Sequence, residues 1–433
     1  MDTGEKRGEN MSDVCDISLH RKKENEAKEI INYSDEEAEL HAGEVGVSPR
    51  PMETKNQIDE RGAFVRQPNA FIVPFGAKDN EWKTEKDRFR SYWAKGCNWS
   101  NRPIIARDIL GLTDIISDQL TTSSGESNRY GHGFADSPEH KDAATGAYFL
   151  SEFYKNADPD FHGRATTPTI VDVKRKIAVN NDYHRLSNYI EVQFRKFQPE
   201  NAPDLYPKKF RKEIDELNDW LFPHINNGHY RMAFCQSLTA YNEAFDDFYD
   251  SMEKLEKRLS ENRFLFGDYI TDSDIRFFVT IIRWDISYFR NIGPVKKRIA
   301  DFPNIYAYMK ELYQIPAFKN ATYIRELVLG RGKSDQDKDL FADWNTRIAP
   351  QIDYEALYAD DGKRESLSDD AHKNKYLQHP NGETAEDYQS EISVSKWNSV
   401  RQEDRDPINT ENGQLSTDAS INPLKGLLKN IYL

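Results

Sequence analysis

The stretch from Phe89 to Gly111 constrains this chain most, because it sets one cysteine where a strand hands over to a helix. The pattern predicts a short strand over Phe89 to Ala94, a turn through Lys95 and Gly96, and an amphipathic helix carrying Ile104, Ile105, Ile109 and Leu110. Gly111 suits a left-handed helix end. Cys97 then sits at a helix N-terminus, where unpaired backbone N–H groups and the positive end of the dipole favour thiolate over thiol. Arg102 and Lys95 are near enough in sequence to add to that effect. The ordinary alternative is a small buried cysteine with no chemistry, the commoner fate of an intracellular one.

The 433 residues allow two folded domains plus tails, and a net charge of −14 excludes a basic nucleic-acid binder. Mean hydropathy is −0.83, low for a fully globular chain, so solvated segments are expected beside a core drawn from 23 Phe, 22 Tyr and 7 Trp. No run approaches a membrane-spanning length, and the start Met1-Asp2-Thr3-Gly4-Glu5 predicts no secretory signal. Cys15, Cys97 and Cys235 lie far apart, which gives neither a disulfide framework nor zinc-ligand spacing. No metal and a reducing cytoplasm are the expectations.

Residues 1–60 hold 16 Asp and Glu against 8 Lys and Arg with hardly any aromatic residue, and are expected to form an acidic flexible arm. Helix around Asn25 to Leu40 is open there, and Cys15 has no assigned role. Phe64, Phe71, Ile72, Val73 and Phe75 then suggest an apolar arm packed on the first domain. Asp114 to Leu120 is a plausible second strand, followed by a polar loop from Thr121 to Ala147 that is either a functional cover or a mobile insertion.

The segment Thr166-Thr167-Pro168-Thr169-Ile170-Val171-Asp172, a Lys174-Arg175 turn and a strand from Ile177 to Val179 predict a hairpin. Strand, cysteine helix and Thr-Pro hairpin together resemble the thioredoxin fold, in which that proline bond is cis and the preceding backbone N–H and C=O are open to a peptide. A turn proline is the plainer reading. A lone cysteine without Cys-x-x-Cys spacing cannot form its own disulfide, so redox chemistry here needs an external thiol. A helix is predicted to open at Asn181 or Asp182 and to run through Leu186, Tyr189, Ile190 and Val192 to about Phe194. Capping alone accounts for these polar residues; a bound carboxylate is the sharper reading.

Beyond Pro203 the periodicity is helical, with Phe210, Ile214, Leu217, Trp220 and Leu221 on one face and Met252, Leu255 and Leu259 on another. Thr271 with Asp274 three residues later is an acidic variant of the capping box, Ile270 can staple onto Ile275, and the helix so started is expected to run through Phe278, Ile281, Ile282 and Trp284 to Tyr288. The expected organisation is therefore an α/β domain plus an all-α domain: arm 1–60, thioredoxin-like thiol-binding domain 61–195, all-α domain 196–329 and polar extended tail 330–433. Trp344, Tyr354, Tyr358, Trp397 and the closing Leu424, Leu427, Leu428 and Ile431 suggest that the tail is partly packed on the body.

Gly96-Cys97-x-Trp99, Asn180-Asn181, Leu205-Tyr206-Pro207, Ile225-Asn226-Asn227-Gly228-x-Tyr230-Arg231 and Leu312-Tyr313-Gln314-x-Pro316 resemble the signatures of the Xi-class glutathione transferases, the glutathionyl-hydroquinone reductases. The likeness runs from about Gly62 to Arg325. It implies a thioredoxin-like domain followed by a helical one, glutathione as cosubstrate, a quinone-derived aromatic substrate, no nucleic-acid or membrane partner, and a homodimer. It further implies Cys97 as nucleophile forming a mixed disulfide with glutathione, with Tyr230 and Tyr288 as hydroxyl donors to the quinone oxygens. Trp99, Arg102, Thr167, Pro168, Asp182 and Tyr183 would line the glutathione site. Without the resemblance, Tyr230 and Tyr288 read equally well as amphipathic core residues, Trp99 as packing and Arg102 as an ion-pair partner.

Two departures stand out. The family usually has Cys-Pro-Trp-Ala-His where this chain has Cys97-Asn98-Trp99-Ser100-Asn101, which brings Asn98 and Ser100 close to the sulfur. It shows Asn-Asn-Glu-Ser where this chain has Asn180-Asn181-Asp182-Tyr183, a change that bears on which low-molecular-weight thiol is bound. An omega-like thiol transferase or dehydroascorbate reductase would need the same cysteine without the tyrosine pair, and a noncatalytic interaction module of the same fold would need neither.

Overall fold

A computed structural model describes residues 35–49, 57–66, 68–122, 129–134, 137–292, 295–329, 352–368 and 375–398. Cys15, Trp344 and the closing Leu424, Leu427, Leu428 and Ile431 lie outside the described residues. The first described element is a helix, α1 (Asp35–Val45), where a flexible arm was expected. Ala38 and Ala42 bury against Tyr130 and Phe149, and His41 stacks on Tyr148 at 3.8 Å, so small residues let this short helix lie close to the body.

The sheet has four strands in the order β2 (Ser117–Leu120), β1 (Phe89–Trp93), β3 (Thr169–Asp172) and β4 (Ile177–Asn180). β1 pairs parallel with β2 and antiparallel with β3, with Tyr92 opposite Thr169. The hairpin forms where expected, and the Asp172 carboxylate accepts the Lys174 and Arg175 N–H groups at 3.1 Å to close its turn. β2 begins later than expected because Ile115 and Ile116 both turn back onto the Leu112 carbonyl.

Between β1 and β2 runs α2 (Asn98–Ile109), which ends at Leu110 and Gly111, the glycine at φ +66°. A helix the sequence reading passed over, α3 (Leu150–Ala157), closes the crossover from β2 to β3. It buries only Leu150, Phe153 and Tyr154, while the Glu152 carboxylate accepts the Tyr148 and Phe149 N–H groups at its start. The helix after β4, α4 (Leu186–Gln193), starts later than expected. Asp182 belongs to the preceding turn, where its carbonyl accepts the Arg185 and Leu186 N–H groups at 2.9 Å. Asn181 faces the arm instead of capping, its side-chain oxygen accepting the Phe71 N–H at 2.8 Å, and Asn180 donates to the Val73 carbonyl.

The helical half contains α5 (Arg211–Leu221), α6 (Gly228–Phe234), α7 (Leu238–Glu261), α8 (Asp272–Trp284), α9 (Pro303–Tyr313), α10 (Pro316–Asn320) and α11 (Ile324–Leu329). α8 runs through its middle, buried on every side, and packs against α2. The capping box is present: Asp274 accepts the Thr271 N–H at 2.8 Å, and its other oxygen takes Leu265 N–H and the Tyr308 hydroxyl. Tyr288 is not on this helix; it opens a separate 3₁₀ turn, Tyr288–Asn291. The described parts of the C-terminal region lie on the body, burying Tyr354, Tyr358 and Tyr388. Arg364 donates to the Leu259 and Asn262 carbonyls at 2.6 Å, placing a cation at the C-terminal end of α7. No described helix is long and apolar enough to cross a membrane.

A buried ion pair joins the two halves. Arg276 Nε lies 2.6 Å from Asp272 Oδ2, and its Nη2 donates to the His184 carbonyl at 2.8 Å. Asp272 also accepts from Ser187, Asn188 and Asn218. Burial alone would raise its carboxyl, but Arg276 and these donors hold it below the ordinary 3.8. Removing one partner strands the other charge, so Asp272→Ala should cost about 3–5 kcal/mol in urea denaturation at neutral pH. With its folded value depressed, the group stabilises above the unfolded carboxyl value and loses that contribution as pH falls below it. The gap between wild type and Asp272→Asn should therefore be full at neutral pH and narrow below 3.8.

Candidate active site

Cys97 is the N-cap of α2, with extended backbone angles, and its own N–H is tied to the Ala94 carbonyl at 3.0 Å. The thiol is half-buried and donates to the Thr167 carbonyl at 3.5 Å, beside the cis Thr167–Pro168 bond. The hairpin thus delivers Thr167 and Pro168 to the sulfur across the sheet. Ser100 does not reach the sulfur: its hydroxyl takes the Ala94 N–H at 3.1 Å and bonds the Cys97 carbonyl, so it closes the turn. Asn98 points the other way, into the helical half.

There Tyr230, on α6, donates to Asn98 Oδ1 at 3.3 Å, and its hydroxyl is 3.4 Å from that of Tyr288. The two phenols therefore meet over the residue that follows the cysteine. Tyr288 is buried, and burial, reinforced by Tyr230, holds its hydroxyl well above the usual phenol value. His229 stacks on it at 3.9 Å. Burial, with the charge of Arg66 behind it, pushes the His229 imidazole down to about 3, so it is neutral at physiological pH.

The cations are not those the sequence suggested. Lys95 pairs with Glu326 of α11 at 3.0 Å and lies over the Tyr323 ring. Arg102 is fully buried behind Trp99, its guanidinium 4.6 Å from the indole; burial, then the like charge of Arg276, lowers it to about 9, so it remains protonated at neutral pH. Its Nε and Nη2 find no hydrogen-bond acceptor among the described residues. Two other arginines come to the site. Arg66, from the arm before β1, lies between the Trp99 and Tyr230 rings at 4.5 and 4.3 Å and donates to Asn227 Oδ1 at 2.7 Å. Arg283, on α8, bonds Asn101 and the Lys95 carbonyl; burial weakens its hold on its proton, while Tyr288, Tyr230 and Cys97 act the opposite way. Neither arginine carries a local signal, since each is brought in by packing between distant segments.

Trp99 is buried against the Arg66 and Arg102 guanidinium groups, with the Tyr183 ring at 4.8 Å and Phe222 at 5.7 Å. Asp182, next to Tyr183, is fully buried. Its Oδ1 accepts the His184 N–H at 3.1 Å and the Asn69 amide at 3.3 Å, and the Asn398 side chain also bonds the carboxyl. Burial raises this carboxyl. The arrangement combines a half-buried thiol, a hairpin end with a cis proline, a buried carboxylate and two adjoining phenols.

Residues 239–311 match the family model described as the glutathione S-transferase C-terminal domain. The chain is 34% identical over 237 residues to the glutathionyl-hydroquinone reductase YqjG of Escherichia coli, a match spanning 54% of this chain and 70% of that protein. Among solved structures, the glutathione-S-transferase Xi from Phanerochaete chrysosporium superposes with a TM-score of 0.59 at 31% identity, covering 63% of this chain and 88% of that one. The glutathione-bound structure of YqjG gives a TM-score of 0.56 at 28% identity, covering 66% and 94%. By sequence identity and by shared fold, the chain belongs to the Xi-class glutathione transferases, the family of the glutathionyl-hydroquinone reductases, and is an enzyme of that kind.

Proposed function

We propose that this protein is a glutathionyl-hydroquinone reductase that works through a Cys97–glutathione mixed disulfide. The Cys97 thiolate attacks the glutathione sulfur of a glutathionyl-hydroquinone, a sulfur–sulfur bond forms as the sulfur–carbon bond breaks, and the electron pair leaves with the aromatic carbon. That carbon takes a proton and the free hydroquinone departs. A second glutathione then attacks the mixed disulfide, releasing glutathione disulfide and restoring the thiolate; the net two electrons come from the two glutathione sulfurs. Such chemistry suits a reducing cytoplasm.

The observation that carries this reading is the 3.4 Å approach of the Tyr230 and Tyr288 hydroxyls, with Tyr230 bonded to the residue next to Cys97. A thiol transferase acting on disulfides has no use for paired phenols, because a thiolate leaves unaided. Carbon expelled from sulfur leaves easily only if the ring oxygens are hydrogen-bonded as charge develops on them. Thr167 and Pro168 would pair with the cysteinyl backbone of glutathione, Trp99 and Tyr183 would wall the groove, Arg102 would brace Trp99 from behind, and Asp182 would receive the γ-glutamyl ammonium. The relative YqjG, named a glutathionyl-hydroquinone reductase and solved with glutathione, supports both halves of the reading.

Incubation with glutathionyl-menadione should add one glutathionyl group to the peptide that contains Cys97, read by mass spectrometry after digestion, and Cys97→Ser should abolish it. No adduct on the wild-type protein would defeat the proposal. In Tyr230→Phe/Tyr288→Phe, hydroquinone release should drop on the order of 10²-fold or more beyond any change in exchange with a small disulfide; equal losses would favour a plain thiol transferase. Because burial keeps the Tyr288 phenol protonated well above its ordinary value of 10.0, its ionisation should cause no decline in release between about pH 7 and about pH 9. A decline in that range that disappears in Tyr288→Phe would contradict its role as donor.

A further inference from the structure

Tyr288 comes to the site from beyond the end of a helix. α8 stops at Trp284, and Tyr288 opens the 3₁₀ turn that follows, so the helix alone does not fix where its ring lies. The ring is met by the first turn of α6. His229 lies flat against it, with centroids 3.9 Å apart and planes 10° from parallel, and the imidazole also bonds the Tyr288 backbone. Tyr230 stands edge-on to both, at 5.0 Å and 76° from His229 and at 6.0 Å and 66° from Tyr288. The three rings form a corner, closed by the 3.4 Å approach of the two hydroxyls.

α6 is itself firmly anchored. Just before it, Asn226 donates to the Arg276 carbonyl at 2.8 Å and to the Thr280 hydroxyl at 2.9 Å, both on α8. Asn227 accepts the Arg66 guanidinium at 2.7 Å, and Gly228 comes so near α7 that a Cβ there would lie 2.7 Å from the Phe248 ring. With its first turn held from three directions, α6 offers two successive side chains to Tyr288: the face of His229 and the hydroxyl of Tyr230. His229 and Tyr288 are both buried, and the imidazole is neutral at physiological pH, so the stack brings no charge that would draw the phenol proton away. His229 also stands at the open position of the Ile225–Arg231 stretch, where the family resemblance assigns no role.

We propose that His229 is a positioning residue for hydroquinone release: stacked on Tyr288, it holds that ring where its hydroxyl meets the Tyr230 hydroxyl over Asn98. The inference rests on the reading above that the two phenols donate to the leaving aromatic. Exchange at the Cys97 sulfur with a plain disulfide needs neither phenol and therefore gains nothing from the stack.

The test compares two reactions of the full-length protein, hydroquinone release from glutathionyl-menadione and exchange with a small disulfide. In His229→Ala, kcat for release should fall roughly tenfold, the weight of one aromatic stack, with KM and disulfide exchange each within about twofold of wild type. His229→Phe restores a flat ring and should recover release to within about threefold of wild type. If His229→Ala does not fold, His229→Leu, which fills the space without a ring face, carries the same expectation. Full release without the ring, an equal loss in both reactions, or a His229→Phe as slow as His229→Ala would each overturn the role of His229. Undiminished release in Tyr230→Phe/Tyr288→Phe would instead overturn the paired-phenol reading, and the role of His229 with it.

Discussion

The Asp272–Arg276 pair is the interaction on which the rest of the molecule depends. It sits at the first turn of α8, reaches the His184 carbonyl and the Ser187 and Asn188 side chains, and so fixes the helical half to the segment that follows β4. A buried ion pair is justified energetically only when its remaining valences are filled, and here Asn218, Ser187 and Asn188 fill those of Asp272. Once that junction is set, α8 lies along α2, and the phenols of Tyr230 and Tyr288 can meet at Asn98. The Cys97 end of the sheet half and the two phenols therefore meet at a seam that neither half could supply alone.

Much of the architecture was legible where its signals are local. The cysteine helix ends at a glycine with a left-handed backbone, the hairpin turns at Asp172, and the Thr271–Asp274 box starts α8, each written within a few neighbouring residues. α3 was missed because it is only eight residues long and follows directly on a polar loop, too short a window for its amphipathic spacing to stand out. Tyr288 was placed one turn too far along α8, since its apolar spacing continues after the helix has stopped at Trp284. Arg66, His229, Arg283 and Asn398 could not be found by pattern. Each is ordinary in its own segment and takes on meaning only from the rings and carboxylates that folding sets against it.

The departures from the family motifs read differently in three dimensions. Ser100 spends its hydroxyl on the turn that presents Cys97, so its polarity is absorbed by the backbone. Asn98 instead becomes the bridge by which the sheet half addresses Tyr230. Tyr183 trades a small hydroxyl for a ring that tiles against Trp99, and Asp182, shorter than glutamate, is held by the His184 N–H and the Asn69 amide.

The hydrogen bond between Asn69 and Asn398 closes a loop of 329 residues. Loop-closure entropy makes contacts of that span slow to form, and they follow the docking of the elements between. During synthesis on a ribosome, the strand–helix half and the bundle can assemble before Asn398 has been made, so Asn69 waits for its partner until the elements between them are in place, an order of events imposed by the direction of the chain.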